Sequence, residues 1–327
     1  MSATDITTPL QTAWALHRPL ATAAVANLEE ILMRVFVTGA SGWIGSAVVA
    51  ELVAGGHTVV GLARSDAGAA KVEAAGATVV RGTLTDHDVL RAAAADSDGV
   101  IHTAFIHDFS AHEDAAATDL AAVTLFGSVL EGTDKPLVIA SGILGLTGDE
   151  NTRPDAATAA SPRIATEAAL LSFAARGVRS VSVRLAPTVH GEGDHGFIAT
   201  LAGIDRAKGT SGYIGDGANR WPAVHRLDAA HLFVLGLEKA SAGTVLHAVA
   251  ESGVPLRDIA EVIGRKLGVP TESVDPADAV AHFDWLGRFL GFDSPSTSTI
   301  TRELVGWEPT HPTLLEDLEA GYYTQGA

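Results

Sequence analysis

The sequence predicts an α/β protein built on a doubly wound parallel sheet, with a smaller carboxy-terminal portion. Three observations carry this. From Met33 onward, short apolar runs alternate with segments of helical spacing. The first run enters the first helix through a turn with three closely spaced glycines, TGASGWIG. After Ala186 the alternation gives way to Gly-rich polar stretches. Short apolar strands divided by helices bury both faces of a sheet, and such connections cross right-handed.

In order, MRVFVTG is the first strand. Ile44, Val48, Val49, Leu52 and Val53 then recur at helical spacing, and Gly55-Gly56 stops that helix. TVVGLA, ATVVRG, GVIHTAF, PLVIASG and SVSVRLAP follow as strands, with helices expected at 88–95, 118–130 and 162–176. GEGDHG and KGTSGYIGDGANRWP read as loops over a binding cleft. Helices are expected again at 228–240, 255–267, 277–289 and 314–322. The domain expectation is a nucleotide-binding part at 33–186 and a substrate-binding portion at 187–327, with about 225–250 returning to the first part. Residues 1–32 read as a poorly ordered extension, and a docking helix over 21–32 is the alternative.

Composition narrows the partners. Of 327 residues, 39 are acidic and 22 are Lys or Arg, a net charge of −17 that argues against a nucleic-acid backbone. No run is long and uncharged enough to span a bilayer, and no secretory signal opens the chain. There are no cysteines, so disulfides and thiolate chemistry are absent, which fits a cytoplasmic protein. A small-molecule substrate is the expected partner. Despite 13 histidines, neither HxxxH nor HExxH spacing occurs, and no metal site is expected. A Gly-x-Ser-x-Gly elbow and a P-loop lysine are missing too.

TGASGWIG sits between a strand and a helix, the setting in which glycines serve a dinucleotide. Gly39 suits the tight turn, Gly42 the approach of backbone to a pyrophosphate, and Gly45 close helix–strand packing. The helix amino terminus then faces the phosphates. Ser41, Trp43 and Ile44 complete the cofactor-facing loop. At the end of the second strand, Ala63 stands where an acid would grip the ribose of NAD, and Arg64 and Ser65 follow. A guanidinium forks onto a phosphate and gains nothing from a neutral ribose, which favours NADP over NAD. Asp66 remains within reach of a ribose, and Arg64 as a solvated loop charge is the plainer alternative.

TGASGWIG resembles the TGxxGxxG signature of the extended short-chain dehydrogenase/reductases, the NAD(P)-dependent epimerase/dehydratase group. GTLTDHDVL resembles that family's adenine-side segment, with Thr83 where Asp is usual and Leu84 beside it. GVIHTAF resembles the fourth-strand segment against the cofactor, which implies contacts from Thr103, Ala104 and Phe105. VRLAPTVHGEGD resembles the segment after strand six, implying Pro187 and Val189 beside the cofactor, with His190 where Tyr is common. WPAVHRLDAA is similar to the His-x-x-Asp element, so His225 and Asp228 are implied to be a structural pair. RELVGWEPT resembles the Leu-Gly-Trp-x-Pro element, with Val305 in the Leu place. The likeness runs from Met33 to about Tyr322.

One departure bears on chemistry. The family's acid–base pair is a Tyr four residues before a Lys, helped by a Ser at the end of strand five. Ser141 matches that Ser. With Glu167 as the family's Glu, the Lys place holds Arg163 and the Tyr place Ala159. No lysine lies between Lys135 and Lys208, and the first tyrosine is Tyr213. Arg163 can hold a ribose and stay positive, but it cannot donate a proton near neutral pH. Candidates for the missing acid are His190, the Asp194-His195 loop, and His102 and His107 around the fourth strand. Each has a plainer reading as a packed or surface residue. Trp221 and Trp285 are expected in the cleft or core. The resemblance implies an NADP(H)-dependent oxidoreductase acting on a small carbonyl or alcohol. A nucleotide-sugar epimerase or dehydratase is a second version, for which only Arg206, Lys208 and Arg220 offer basic contacts. An NADP(H)-reporting protein without turnover is the rival, and a homodimer through the fourth and fifth helices is also implied.

Overall fold

The computed structural model describes residues 32–106, 112–153 and 163–324. Expectations for residues 1–31, His107 and Ala159 lie outside the described residues. In chain order the elements begin β1 (Arg34–Thr38), α1 (Trp43–Ala54), β2 (Thr58–Ala63), α2 (Asp66–Ala74), β3 (Thr78–Arg81), α3 (His87–Ala95) and β4 (Gly99–His102). They continue with α4 (His112–Leu130), β5 (Pro136–Gly142), α5 (Arg163–Ser172), β6 (Arg179–Leu185), β7 (Thr188–His190), α6 (Phe197–Lys208), β8 (Ser211–Ile214) and β9 (Arg220–His225). The remainder is α7 (Arg226–Lys239), β10 (Thr244–Ala248), β11 (Glu251–Pro255), α8 (Leu256–Leu267), β12 (Thr271–Val274), α9 (Ala279–Phe283), α10 (Thr299–Val305) and α11 (Leu314–Ala320).

Seven strands form one sheet in the order β10-β6-β5-β4-β1-β2-β3, every pair parallel. The order reverses between β1 and β4, and the crevice at such a switch point is where ligands bind in open α/β sheets. Period-two alternation divides the core. Val35 and Val37 of β1 face the layer holding Val48 and Leu52 of α1 and Phe233 of α7. Phe36 faces the other layer, with Leu90, Phe126 and Leu170. Burying each such side chain contributes roughly 1.5–3 kcal/mol, which holds the strand ends rigid.

The seventh strand, β10, was not among the six the sequence suggests. It arrives after the excursion through β7–β9, and α7 leads it back by packing beside α1. The segment KGTSGYIGDGANRWP, expected as a loop, contains β8 and the start of β9, while β7 and α6 are elements the sequence reading did not assign. β9 pairs with β7 in parallel and with β11 antiparallel, while β8 pairs with β12. The single helix expected over 277–289 is interrupted. Asp284 has φ of +52°, a left-handed conformation that ends α9, and a 3-10 turn (Asp284–Arg288) follows. A second core of Leu201, Trp221, Ile263, Phe283 and Leu318 holds this portion together. Trp221 is fully buried in this core, and Trp285 is half-buried at its edge beside Phe197 and Phe289.

Candidate functional site: a dinucleotide cradle and its surroundings

The glycine loop makes a turn that side chains would prevent. Gly39 has φ of +70°, and a Cβ there would lie 2.7 Å from the backbone N of Ala104. A Cβ on Gly45 would fall 2.1 Å from the carbonyl oxygen of Gly39, so α1 can approach β1 this closely only with glycine. Gly42 differs. Its own N–H donates to Gly39 O at 2.8 Å, and the single atom within 4 Å of an added Cβ is that same oxygen, at 3.1 Å. The exposed flank of Gly42 is therefore open. Gly42 caps α1 without a side-chain hydrogen bond, and no acid stands in the first turn. First-turn N–H groups and the positive helix end are left for an anion, which fits a dinucleotide diphosphate.

The ends of β2 and β3 lie side by side, with Ala63 opposite Arg81. Arg64 is exposed, and among the described residues no hydrogen bond or ion pair engages its guanidinium. Ser65 caps α2, its hydroxyl accepting from Gly68 N at 3.1 Å. Asp66, the acid the sequence leaves within reach of a ribose, is paired with Arg81 at 2.7 Å, and Arg81 also donates to Ser65 O at 2.7 Å. Thr83 turns back onto Asp86, whose carboxylate accepts from its N–H at 2.7 Å and its hydroxyl at 2.9 Å. These bonds hold the Asp86 carboxyl below its ordinary pKa. Leu84 is buried beneath this turn.

Past β4, Thr103 donates its hydroxyl to Thr38 O at 2.8 Å, tying the loop of Thr103, Ala104 and Phe105 to the glycine turn. Arg163 enters from α5, donates to Ala140 O at 2.9 Å, and lies with its Cζ 4.3 Å from the centroid of the Phe105 ring. Burial lowers the pKa of this guanidinium, with the charge of Asp119 opposing. His102 is fully buried, its Nδ1 2.6 Å from Thr38 Oγ1 and its Nε2 3.0 Å from Asp119 Oδ1. Burial raises the Asp119 carboxyl, but the bond and charge of His102, with Arg163 and Thr166, outweigh it and hold the pKa low. Sequence reasoning missed Asp119; a lone acid in the apolar stretch AAATDLAAV was the available signal.

Two expected catalytic groups sit differently from expectation. Ser141 is buried, and its hydroxyl joins Ser182 and Arg184 in serving the Glu167 carboxylate, whose pKa those partners hold low against the effect of burial. His190 is fully buried and faces α11, its Nδ1 2.6 Å from Asp317 Oδ2. Its Nε2 has no hydrogen-bond partner, and Glu251 is the nearest acid at 3.9 Å. The imidazole is thus turned towards the carboxy-terminal segment, a placement set by Asp317, which no local pattern reveals. Pro187 precedes β7 and Val189 lies within it, where Val189 O accepts from the indole of Trp43 at 3.0 Å. In the next loop Asp194 accepts from Gly196 N at 2.7 Å, and burial raises its carboxyl pKa. His195 is exposed and meets the Trp43 ring edge-on at 5.7 Å.

His225, Asp228 and His311 bring donor atoms within 4.8 Å of one another. Their bonds are already committed to structure. Asp228 accepts from Thr310 N and His311 N and from His311 Nδ1 at 2.7 Å, while His225 Nδ1 accepts from Leu227 N. The Asp228 carbonyl also accepts from Trp307 Nε1 at 2.9 Å. The set clamps the WEPTH segment to the start of α7.

Comparison with known proteins places this architecture. Residues 35–249 match the model described as NAD dependent epimerase/dehydratase family. An uncharacterized protein of Schizosaccharomyces pombe is 48% identical over 299 residues, covering 89% of this chain and 100% of its own length. A 2'-dehydrokanamycin reductase of Streptomyces kanamyceticus is 30% identical over 282 residues, covering 82% of this chain and 76% of its own. Among solved structures, a dTDP-glucose 4,6-dehydratase from Streptomyces venezuelae with NAD bound superposes with a TM-score of 0.70 at 20% identity. It covers 89% of this chain and 97% of its own, a likeness of fold.

Proposed function

The chain belongs to the NAD-dependent epimerase/dehydratase family, and from that premise we propose that it is an NADP(H)-dependent oxidoreductase acting on a small carbonyl or alcohol. The observation that carries the reading is the open Gly42 flank at an uncapped helix end, together with an Arg64 that engages no acid. Preference for the phosphorylated coenzyme is supported by Arg64 and by the pairing of Asp66 with Arg81, which removes a carboxylate that would repel a 2'-phosphate. Reduction of a carbonyl is supported by the reductase named among the relatives.

The bound coenzyme supplies or accepts hydride. This chain's residues hold and polarise. Arg163 stands in the lysine's place: it would hold the nicotinamide ribose and draw charge onto the reacting oxygen. With Ser141 engaged by Glu167 and His190 turned inward, exposed His195 or a solvent water brings the proton. The same two observations favour a second reading, a coenzyme-responsive protein without turnover. Losing a positioned general acid costs about 10²–10⁴ in rate.

Calorimetric titration with NADPH and NADH tests the coenzyme, and NADPH oxidation over aldehydes, ketones and imines tests turnover. Tighter NADPH binding is expected, with Arg64→Ala reducing it about tenfold and leaving NADH unchanged. Equal affinities remove the role given to Arg64. Tight binding with no turnover on any carbonyl favours the second reading.

A further inference from the structure

We propose that Arg226, the first residue of α7, is a second anchor for the coenzyme diphosphate, beside the glycine loop. The inference rests on the coenzyme reading above. Among the described residues, the buried or half-buried arginines are Arg34, Arg163, Arg179, Arg184 and Arg226. The first four each meet an oxygen: Asp96, Ala140 O, Ala240 O and Glu167. Arg226 meets none. Its guanidinium carbon lies 4.3 Å from the centroid of the Trp43 ring, and no carboxylate or carbonyl pairs with it.

That position is unfavourable for a cation left alone. Burial lowers the pKa of Arg226, and no nearby acid opposes the effect. The residue opens a helix, where the dipole end is already positive and a cation is disfavoured. The acid of its own first turn, Asp228, is committed to Thr310 and His311. In a chain with 39 acidic residues, the want of a counter-charge implies that an anion from outside completes the arrangement. A cation–π contact contributes about 0.5–2 kcal/mol and adds no negative charge.

Geometry says which anion. Trp43 belongs to the glycine loop, and its ring is fixed by the bond from Nε1 to Val189 O. Arg226 is stacked on that fixed ring. α1 and α7 run side by side in the same direction, with Trp43 meeting Arg226 at their starts and Glu51 bonded to His231 further along. Two positive helix ends and a guanidinium therefore gather where Gly42 is open. The anion expected there is the diphosphate, while Arg64, at the end of β2, addresses the 2'-phosphate.

Fragments separate the two roles. ADP carries the diphosphate without a 2'-phosphate, and adenosine 2'-monophosphate the reverse. Calorimetry with NADPH, NADH, ADP and adenosine 2'-monophosphate is run on the parent protein and on Arg226→Met, which keeps an apolar chain over the indole. The expected result is a loss of about tenfold for NADPH, NADH and ADP alike, with adenosine 2'-monophosphate unchanged. Arg226→Lys should retain most of the affinity. Should Arg226→Met unfold early, comparing Arg226→Lys with Arg226→Gln asks the same question. Unchanged ADP binding in the charge-removed variant overturns the proposal, as does an equal loss for adenosine 2'-monophosphate. A parent protein that binds neither coenzyme sinks the coenzyme reading itself, a result distinct from either.

Discussion

At the amino end of α1 the site is made of main chain; around His190 it is made of side chains. In the first region three glycines within seven positions create the turn, and the groups offered to a ligand are amides. In the second, His190 is paired with Asp317, 127 positions away, and His311 with Asp228, 83 positions away. At Gly39 and Gly45 the first region tolerates no added atom. The second tolerates no missing partner. A main-chain site is thus specified by residues that leave space, and a side-chain network by residues that cancel one another's desolvation.

The strongest way to break that contrast is to strand a buried charge. Glu167→Ala leaves Arg184 fully buried without its carboxylate, and a loss of about 3–5 kcal/mol in urea unfolding is expected. A loss as small as that of a surface substitution would mean the network carries little.

Added bulk tests the other region. Gly45→Ala forces a methyl against Gly39 O and should cost about 1–3 kcal/mol. Gly42→Ala meets that oxygen only at 3.1 Å, so stability should hold while calorimetric coenzyme affinity falls. If both variants melt alike, the division between packing glycine and ligand-facing glycine is wrong.

The smallest effect sharpens the comparison through pH. Burial raises the Asp205 carboxyl to about 6, despite hydrogen bonds from Ser211 and Gly212. A carboxyl whose pKa rises on folding holds its proton more tightly in the native state. Stability therefore falls as pH climbs from about 4 to about 6, and stays reduced above. Asp205→Asn should gain about 1–2 kcal/mol at pH 7 and nothing at pH 3, read from thermal melts at the two values. A pH-independent gain would assign the effect to packing.

How far the sequence could be read follows the same division. β1 to β6 and the glycine turn were legible because apolar runs and positive-φ glycines are local signals. β10 was hidden because its pairing with β6 depends on a return through some sixty residues of another subdomain. The strands after Ala186 were hidden because Gly and polar residues there read as loop until β7, β9 and β11 supply one another's hydrogen bonds. His190 was legible as a candidate and its orientation was not, since Asp317 decides it. Arg226 stood in plain view in WPAVHRLDAA, but only the ring of Trp43 shows that it has no acid to meet.

Asp317 and Tyr323 reach back to His190 and to Gly191, whose N–H donates to the Tyr323 hydroxyl oxygen at 3.2 Å. A ribosome makes those partners more than a hundred codons after the loop they steady. The three glycines of the turn at the start of α1 are therefore synthesised long before the side chains that steady the segment after β7. A message cut short ahead of α11 omits Asp317 and Tyr323 and so leaves the imidazole of His190 and the N–H of Gly191 without those two partners.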